Sequence, residues 1–134
     1  MSANKPGKRP LSPHLQIYKP LINMVMSIFH RISGSALYFG MFFLAWWLFS
    51  VASGPAYFDL VQGMLASIPG RLLLFVFTWA LMLHAFGGIR HFIWDTGRGF
   101  GLSTINWLSW ISLFGSFALT MLIWAFGYNL IGVL

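Results

Sequence analysis

The sequence predicts an all-α integral membrane protein with three transmembrane helices, and two observations carry this prediction. Of its 134 residues, 58% are hydrophobic and only 7% are charged, whereas soluble globular domains carry about 25% charged residues. Three apolar stretches are also long enough to cross a hydrocarbon core of about 30 Å, and the connections between them are short. We therefore expect a small bundle of membrane-spanning helices.

The chain begins with a polar, basic arm at residues 1–22, followed by a first transmembrane helix at residues 23–53. The arm contains four of the six prolines, and it has no apolar core that would make it a secretory signal. Asn23 is of a residue type that caps helices, so it is the candidate start of the first helix. The sequence Ser53-Gly54-Pro55 should end this helix.

Residues 54–70 are expected to form an outer loop with a short amphipathic helix in the membrane interface. Apolar residues recur there at spacings of three and four, as one face of a helix requires: Phe58, Val61, Leu65 and Ile68. The sequence Pro69-Gly70 should break this helix, and the second transmembrane helix should then cover residues 71–95.

A loop at residues 96–104 should lead to a third transmembrane helix at residues 105–131, with Ser103 or Thr104 as its cap. Glycines alternate in this loop, but no strand precedes them, as a nucleotide-binding loop would require. A tight connection between two membrane helices is therefore the better interpretation.

The charges predict an orientation and exclude several functions. The net charge is +6, and seven of the eight basic residues lie in the arm, early in the first helix or near the second connection. Basic residues collect on the cytoplasmic side of membranes, so the N-terminus should be cytoplasmic or in the mitochondrial matrix, with only Arg71 outside. The same clustering beside spans argues against nucleic-acid binding. The absence of cysteine excludes disulfides, thiol chemistry and iron–sulfur clusters held by this chain.

His84 is the main candidate for a functional residue, because an imidazole within an apolar span is costly and usually faces a partner or a cofactor. It lies roughly 20 Å from one end of its helix and 17 Å from the other, near the bilayer midplane. A neutral imidazole is a good haem-iron ligand, and Gly87 and Gly88 would let a flat ring approach closely. The residues alone leave a second interpretation open, a histidine hydrogen-bonded to a neighbouring helix.

A six-coordinate haem would need a second axial ligand, and no other histidine is expected at the depth of His84. His30 and His91 should lie nearer the cytoplasmic side, and His14 lies in the arm. The second ligand would then come from another chain, either a partner subunit or a symmetric copy.

A polar cluster is expected at the cytoplasmic ends of the first two helices. Ser27, His30 and Arg31 are spaced i, i+3 and i+4 on one helix face, and the antiparallel second helix should bring His91 and Asp95 to the same depth. Together these residues favour a site for haem propionates or a quinone carbonyl. The alternative is that Arg31 only reaches to lipid phosphates.

Arg90 and Asp95 are weaker candidates. Arg90 faces away from His84, and its alternative role is that of a basic anchor at the membrane surface. Asp95 has the alternative of pairing with a nearby arginine.

Two motifs then carry a family resemblance. The first is Arg9-Pro10-Leu11-x3-Leu15 followed by Ser27-x2-His30-Arg31-x-Ser33-Gly34. The second is His84-x3-Gly88-Ile89-Arg90-His91-Phe92-x-Trp94-Asp95-x-Gly97. The chain resembles the cytochrome b556 family of succinate dehydrogenase subunits, the larger of the two membrane anchors of respiratory complex II. The motifs cover residues 9–34 and 84–97, and the three-span layout fits over the whole chain.

The resemblance implies an anchor within a heteromeric helix bundle of succinate:ubiquinone oxidoreductase, which links the tricarboxylic acid cycle to the respiratory chain. A flavoprotein subunit and an iron–sulfur subunit would hold the FAD and the clusters and oxidise succinate. Ubiquinone would be reduced where the iron–sulfur subunit meets this chain and a second, smaller membrane anchor. This chain would hold no succinate-oxidising site.

The resemblance also implies roles for individual residues. His84 would be an axial ligand of the iron of haem b, with the other ligand from the smaller anchor, and His30 with Arg31 would lie near the haem propionates. Ser27 and Arg31 would line the ubiquinone site. The surrounding polar network would include His91 and Asp95.

Two alternatives remain, a quinol-oxidising anchor as in fumarate reductase and a haem-free structural anchor. A single midplane histidine argues against dihaem versions of the quinol-oxidising anchor.

The sequence has two acidic residues, neither deep in a span, so no proton relay through this chain is expected. The initiating methionine and basic arm, without an amphipathic presequence, favour the cytoplasmic membrane of a bacterium over the mitochondrial inner membrane.

Overall fold

The computed structural model describes residues 17–132 and contains four helices within that range. They are α1 (Ile22–Ala52), α2 (Pro55–Ala66), α3 (Ile68–Asp95) and α4 (Leu102–Leu130). The helices α1, α3 and α4 have 31, 28 and 29 residues and are apolar enough to cross a membrane, which confirms the predicted three-span all-α fold. Residues 1–16 of the predicted arm, with His14 and the first part of the first motif, lie outside the described residues.

The capping residues predicted for the first and third spans are wrong. α1 begins directly after Leu21, and Asn23 lies inside the first turn, where its Oδ1 accepts a hydrogen bond from the adjacent Met24 amide at 2.9 Å. α4 begins at Leu102 after Gly101, because the Gly101 carbonyl already accepts the first helical hydrogen bond, from the Ile105 amide at 2.9 Å. Both helices therefore start before the polar residues that were expected to cap them.

The sequence Pro69-Gly70 was expected to break a helix, and this expectation is wrong. Both residues lie in the first turn of α3. Ser67, in an extended conformation, separates α2 from α3, and its Oγ accepts a hydrogen bond from the Gly70 amide at 3.2 Å. Proline is tolerated there because the first amides of a helix have no helical acceptor. Ile68 consequently belongs to α3 and is 77% exposed, whereas Val61 is the buried residue of α2.

Small side chains predominate among the buried residues of the bundle. α3 packs against α1 and α4, which also contact each other, and α2 packs against α1 and α3. The buried hydroxyl residues are Ser33, Ser50, Ser109, Ser112, Ser116 and Thr120. Their hydroxyls bond carbonyls of their own helices, as Ser112 Oγ does to the Leu108 oxygen at 2.7 Å, so the helices can approach closely without leaving these hydroxyls unsatisfied. The large apolar side chains cover the outside, where lipid and other subunits would meet them.

Candidate functional site

His84 is hydrogen-bonded to α1. Its Nδ1 lies 3.2 Å from the His30 carbonyl oxygen and 3.2 Å from the Ser33 hydroxyl oxygen. A carbonyl oxygen only accepts, so this contact favours the tautomer with the proton on Nδ1 and the lone pair on Nε2. A histidine whose Nδ1 donates to a backbone carbonyl is the usual arrangement for a metal ligand that binds through Nε2. The donor set therefore fits a haem iron.

His30 stacks on His84, with ring centroids 4.2 Å apart and ring planes within 6° of parallel. The expectation that no second histidine reaches the level of His84 is therefore wrong. α1 begins at Ile22, which places His30 about 12 Å along the helix, and the two side chains meet across the α1–α3 contact. Rings in face-to-face contact leave no room for a macrocycle between them, so in this arrangement His30 would not hold the same iron as His84.

Two glycines make room for the stacked rings. A Cβ at Gly34 of α1 would lie 3.1 Å from His84 Cε1, and a Cβ at Gly87 of α3 would overlap the His30 imidazole. Each histidine thus lies over a glycine of the opposite helix. The flat ring that Gly87 admits is the His30 ring, whereas a Cβ at Gly88 would meet nothing within 4 Å. Open space beside His84 is therefore found on the Gly88 side.

A cleft of about 420 Å³ opens between the first turns of α1 and the last turns of α3, a volume within the range of small-molecule sites. Its wall is formed by Asn23, Met24, Ser27, Ile28, Arg90, His91 and Trp94. The His91 ring lies 5.3 Å from the His30 ring and 5.2 Å from the Trp94 ring, centroid to centroid. A continuous row of rings therefore connects the cleft to His84.

The structure brings some of the predicted polar cluster together and leaves the rest outside. Ser27 and His91 both line the cleft, and His30 contacts His91 behind it. Arg31 is exposed one turn beyond Ser27 and is not part of the cleft wall. Asp95 is exposed at the last residue of α3, also outside the wall.

Arg90 is buried between α3 and α4 and is not a basic anchor at the membrane surface. It is 2% exposed, its Nη1 donates to Ser109 Oγ of α4 at 3.1 Å, and its guanidinium carbon lies 5.1 Å from the centre of the Trp94 ring. The small Ser109 side chain leaves space for the guanidinium. Its Nε is buried and has no hydrogen-bond partner among residues 17–132.

No role was predicted for three residues that the structure places at these sites, Ser33, Trp94 and Ser109. Ser33 follows His30 by three residues, so the helical period places it on the same face, and this spacing was an available signal. Nothing distinguished Ser109 from the other serines of α4, because only the packing of α3 on α4 shows which serine meets an arginine.

The fold and these sites define a multi-pass membrane subunit that combines a histidine suited to haem with an adjacent small-molecule cleft. Residues 5–123 match the family model of the succinate dehydrogenase/fumarate reductase transmembrane subunit. The chain therefore belongs to this family, as the two motifs predicted, and is part of an oxidoreductase complex.

Individual relatives agree with this assignment. The chain is 41% identical over 118 residues to the succinate dehydrogenase cytochrome b556 subunit of Rickettsia typhi, which covers 88% of this chain and 92% of the relative. It is 35% identical over 116 residues to the protein of the same name from Paracoccus denitrificans, and the alignment covers 87% of this chain and 89% of the relative. The mitochondrial succinate dehydrogenase cytochrome b560 subunit of Mus musculus is 36% identical over 115 residues, and the alignment covers 82% of this chain and 66% of the relative.

Proposed function

We propose that this chain is the larger membrane anchor of a succinate:ubiquinone oxidoreductase in a bacterial cytoplasmic membrane, with its N-terminus on the cytoplasmic side. The names of its bacterial relatives support this proposal. A flavoprotein subunit and an iron–sulfur subunit hold FAD and the clusters and oxidise succinate. A second, smaller anchor completes the helix bundle. The complex passes electrons from the tricarboxylic acid cycle to the respiratory chain.

His84 would hold the iron of haem b on behalf of this chain, through Nε2. The observation that carries this assignment is the contact between His84 Nδ1 and the His30 carbonyl oxygen at 3.2 Å, because it orients the ring and leaves Nε2 as the basic nitrogen. When bound, the haem supplies one-electron redox chemistry. His30 and Arg31 would bind its propionates.

A second residue that would hold the haem iron is expected from the smaller anchor. The stack of His30 on His84 prevents His30 from filling that position. The face of α3 on the other side of His84 is open at Gly88, and Phe92, one turn later, is 72% exposed. A helix of the smaller anchor would cover this face and supply that residue.

The cleft between α1 and α3 binds the ubiquinone ring. The Ser27 hydroxyl lines the cleft and donates a hydrogen bond to a ring carbonyl. Arg31, one turn further along the same face of α1, is exposed and has the length to reach over the cleft opening. His91 in the wall and Asp95 at the helix end complete the polar surroundings.

The haem assignment is tested in the purified complex with His84→Ala. We expect the absorption bands of reduced haem b to be lost or strongly shifted, because the iron loses one axial ligand. His14→Ala, in the N-terminal arm, is the control for loss of a histidine. An assembled His84→Ala complex with an unchanged haem spectrum would show that the ligand assignment is wrong.

The quinone assignment is tested with Ser27→Ala and Arg31→Ala. Each should slow ubiquinone reduction by succinate, measured relative to succinate oxidation with an artificial acceptor. Ser35→Ala is a control on the same helix, since its exposed hydroxyl bonds, among residues 17–132, only the Arg31 carbonyl, at 3.2 Å. Quinone kinetics equal to the wild type in both variants would refute the site.

A purified complex that reduces fumarate with quinol faster than it reduces quinone with succinate would favour the fumarate reductase alternative.

A further inference from the structure

Arg90 is a buried cation that neither of the two acidic side chains of this chain neutralises. The only acidic residues in the sequence are Asp59 and Asp95. Asp59 is in α2, before the first residue of α3, and Arg90 lies about 33 Å along α3 from that residue. Asp59 is therefore too far away to pair with Arg90. Asp95 is exposed, and the helical rotation over five residues places it about 140° around α3 from Arg90.

The contacts of Arg90 hold its guanidinium in place without cancelling its charge. Ser109 Oγ donates its own proton to the Ile105 carbonyl at 2.8 Å and therefore accepts the hydrogen bond from Arg90 Nη1. The Trp94 ring adds a cation–π contact at 5.1 Å. Both groups are neutral, so the full positive charge stays available at the cleft wall, where an unpaired buried charge is otherwise costly.

The cleft wall is rich in hydrogen-bond donors, and its His91 ring and Ser27 hydroxyl can donate or accept. Besides Arg90, the Nε1–H of Trp94 is buried without a partner in the described part of the chain. Asn23 uses its Oδ1 for the Met24 amide at 2.9 Å, which leaves its NH₂ group as the donor. The Ser27 hydroxyl can donate as well. A molecule with acceptor oxygens and no donors of its own complements this wall, and the oxidised quinone ring has this chemistry.

We propose that Arg90 is a further quinone-binding residue, whose guanidinium donates a hydrogen bond to a ring oxygen in this cleft, with Ser109 as its positioning residue. The inference rests on the proposed function and deepens it.

Reduction adds two electrons from the iron–sulfur subunit and two protons from the aqueous side, so that both ring carbonyls become hydroxyls. A cation without a carboxylate partner stabilises the negative charge that develops on the oxygen during this addition. Arg90 keeps its own proton throughout, since the guanidinium stays charged in proteins.

The experiment measures ubiquinone reduction by succinate in the assembled complex, normalised to succinate oxidation with an artificial acceptor. Arg90→Gln should lower kcat/KM for ubiquinone about 10- to 100-fold, as expected for a lost hydrogen bond to a charged group. Arg90→Lys should lower it less than Arg90→Gln, because the ammonium keeps the positive charge but lacks the rigid fork that reaches Ser109 and the ring together. Arg98→Gln, which removes an exposed cation after α3, should behave as the wild type.

The positioning role of Ser109 is tested against a second buried serine of α4. Ser109→Ala should raise the KM for ubiquinone more than it changes kcat, because the guanidinium loses its acceptor but keeps its charge. Ser112→Ala is the matched control, since Ser112 is equally buried and its hydroxyl bonds the Leu108 carbonyl of its own helix.

Each outcome decides the inference. Wild-type kcat/KM in both Arg90 variants would overturn it, even where Ser27→Ala slows quinone reduction, and the proposed function would then stand alone. If Arg90→Gln does not assemble, the serine pair decides, and equal KM values for Ser109→Ala and Ser112→Ala would refute the inference. If the wild-type complex does not reduce ubiquinone with succinate, the proposed function fails and the inference fails with it.

Discussion

His30 and His84 form one unit, in which the His30 ring stacks on the His84 ring at 4.2 Å and the His30 carbonyl oxygen lies 3.2 Å from His84 Nδ1. One residue of α1 therefore fixes both the plane and the tautomer of the proposed iron ligand on α3. The geometry of that ligand depends on how closely α1 and α3 pack, and Gly34 and Gly87 set this distance.

Gly87→Ala should disrupt the histidine stack. The added Cβ would overlap the His30 ring, and overpacking of a close interface costs about 1–3 kcal/mol. We expect the purified complex to melt at a lower temperature and to retain less haem per protein. Gly127→Ala in α4 is the matched control, because a Cβ there meets nothing within 4 Å and both changes gain about the same helix propensity. Equal behaviour of the two variants would contradict the role of Gly87.

The three spans could be predicted because their apolar length alone separates them from loops. The candidate ligand was predictable as well, since His84 is a costly residue within such a span. The stack was not predictable, because the level of His30 relative to His84 depends on the packing of α1 on α3. The burial of Arg90 was missed for a related reason: a basic residue near a helix end suggests an anchor, and only the α3–α4 packing reveals Ser109 opposite it.

Ser33→Ala should weaken haem binding without abolishing it. The change removes the hydroxyl that lies 3.2 Å from His84 Nδ1 and leaves the His30 carbonyl to orient the ring. Groups that orient a metal ligand are typically worth 10- to 100-fold in affinity, and we expect a loss near the lower limit, about tenfold. Haem retention during dilution or competition with a haem-binding protein measures it. Ser35→Ala, on the exposed side of α1, should retain haem as the wild type does, and a loss as large as that of Ser33→Ala would refute this role of Ser33.

Gly88→Leu should separate folding of this chain from assembly with its partner. A Cβ at Gly88 meets no atom within 4 Å, so the chain should still insert and fold. The leucine would fill the face proposed for the haem and the smaller anchor, so we expect much less haem and less co-purified smaller anchor. Gly127→Leu, at an equally open glycine of α4, serves as the comparison. Normal haem and partner content in Gly88→Leu would place the partner interface elsewhere.

The proposed orientation can be tested by labelling single thiols, because the chain has no cysteine of its own. Ser53→Cys places a thiol between α1 and α2, and Arg98→Cys places one between α3 and α4, at exposed positions. In sealed spheroplasts of a bacterial host, a membrane-impermeant maleimide should label Ser53→Cys only. Arg98→Cys should react after the membranes are opened and the peripheral subunits removed. The reverse pattern would mean that the cleft between α1 and α3 faces away from the cytoplasm. The iron–sulfur subunit must deliver electrons on the cytoplasmic side, so this result would refute the proposed quinone site together with the orientation.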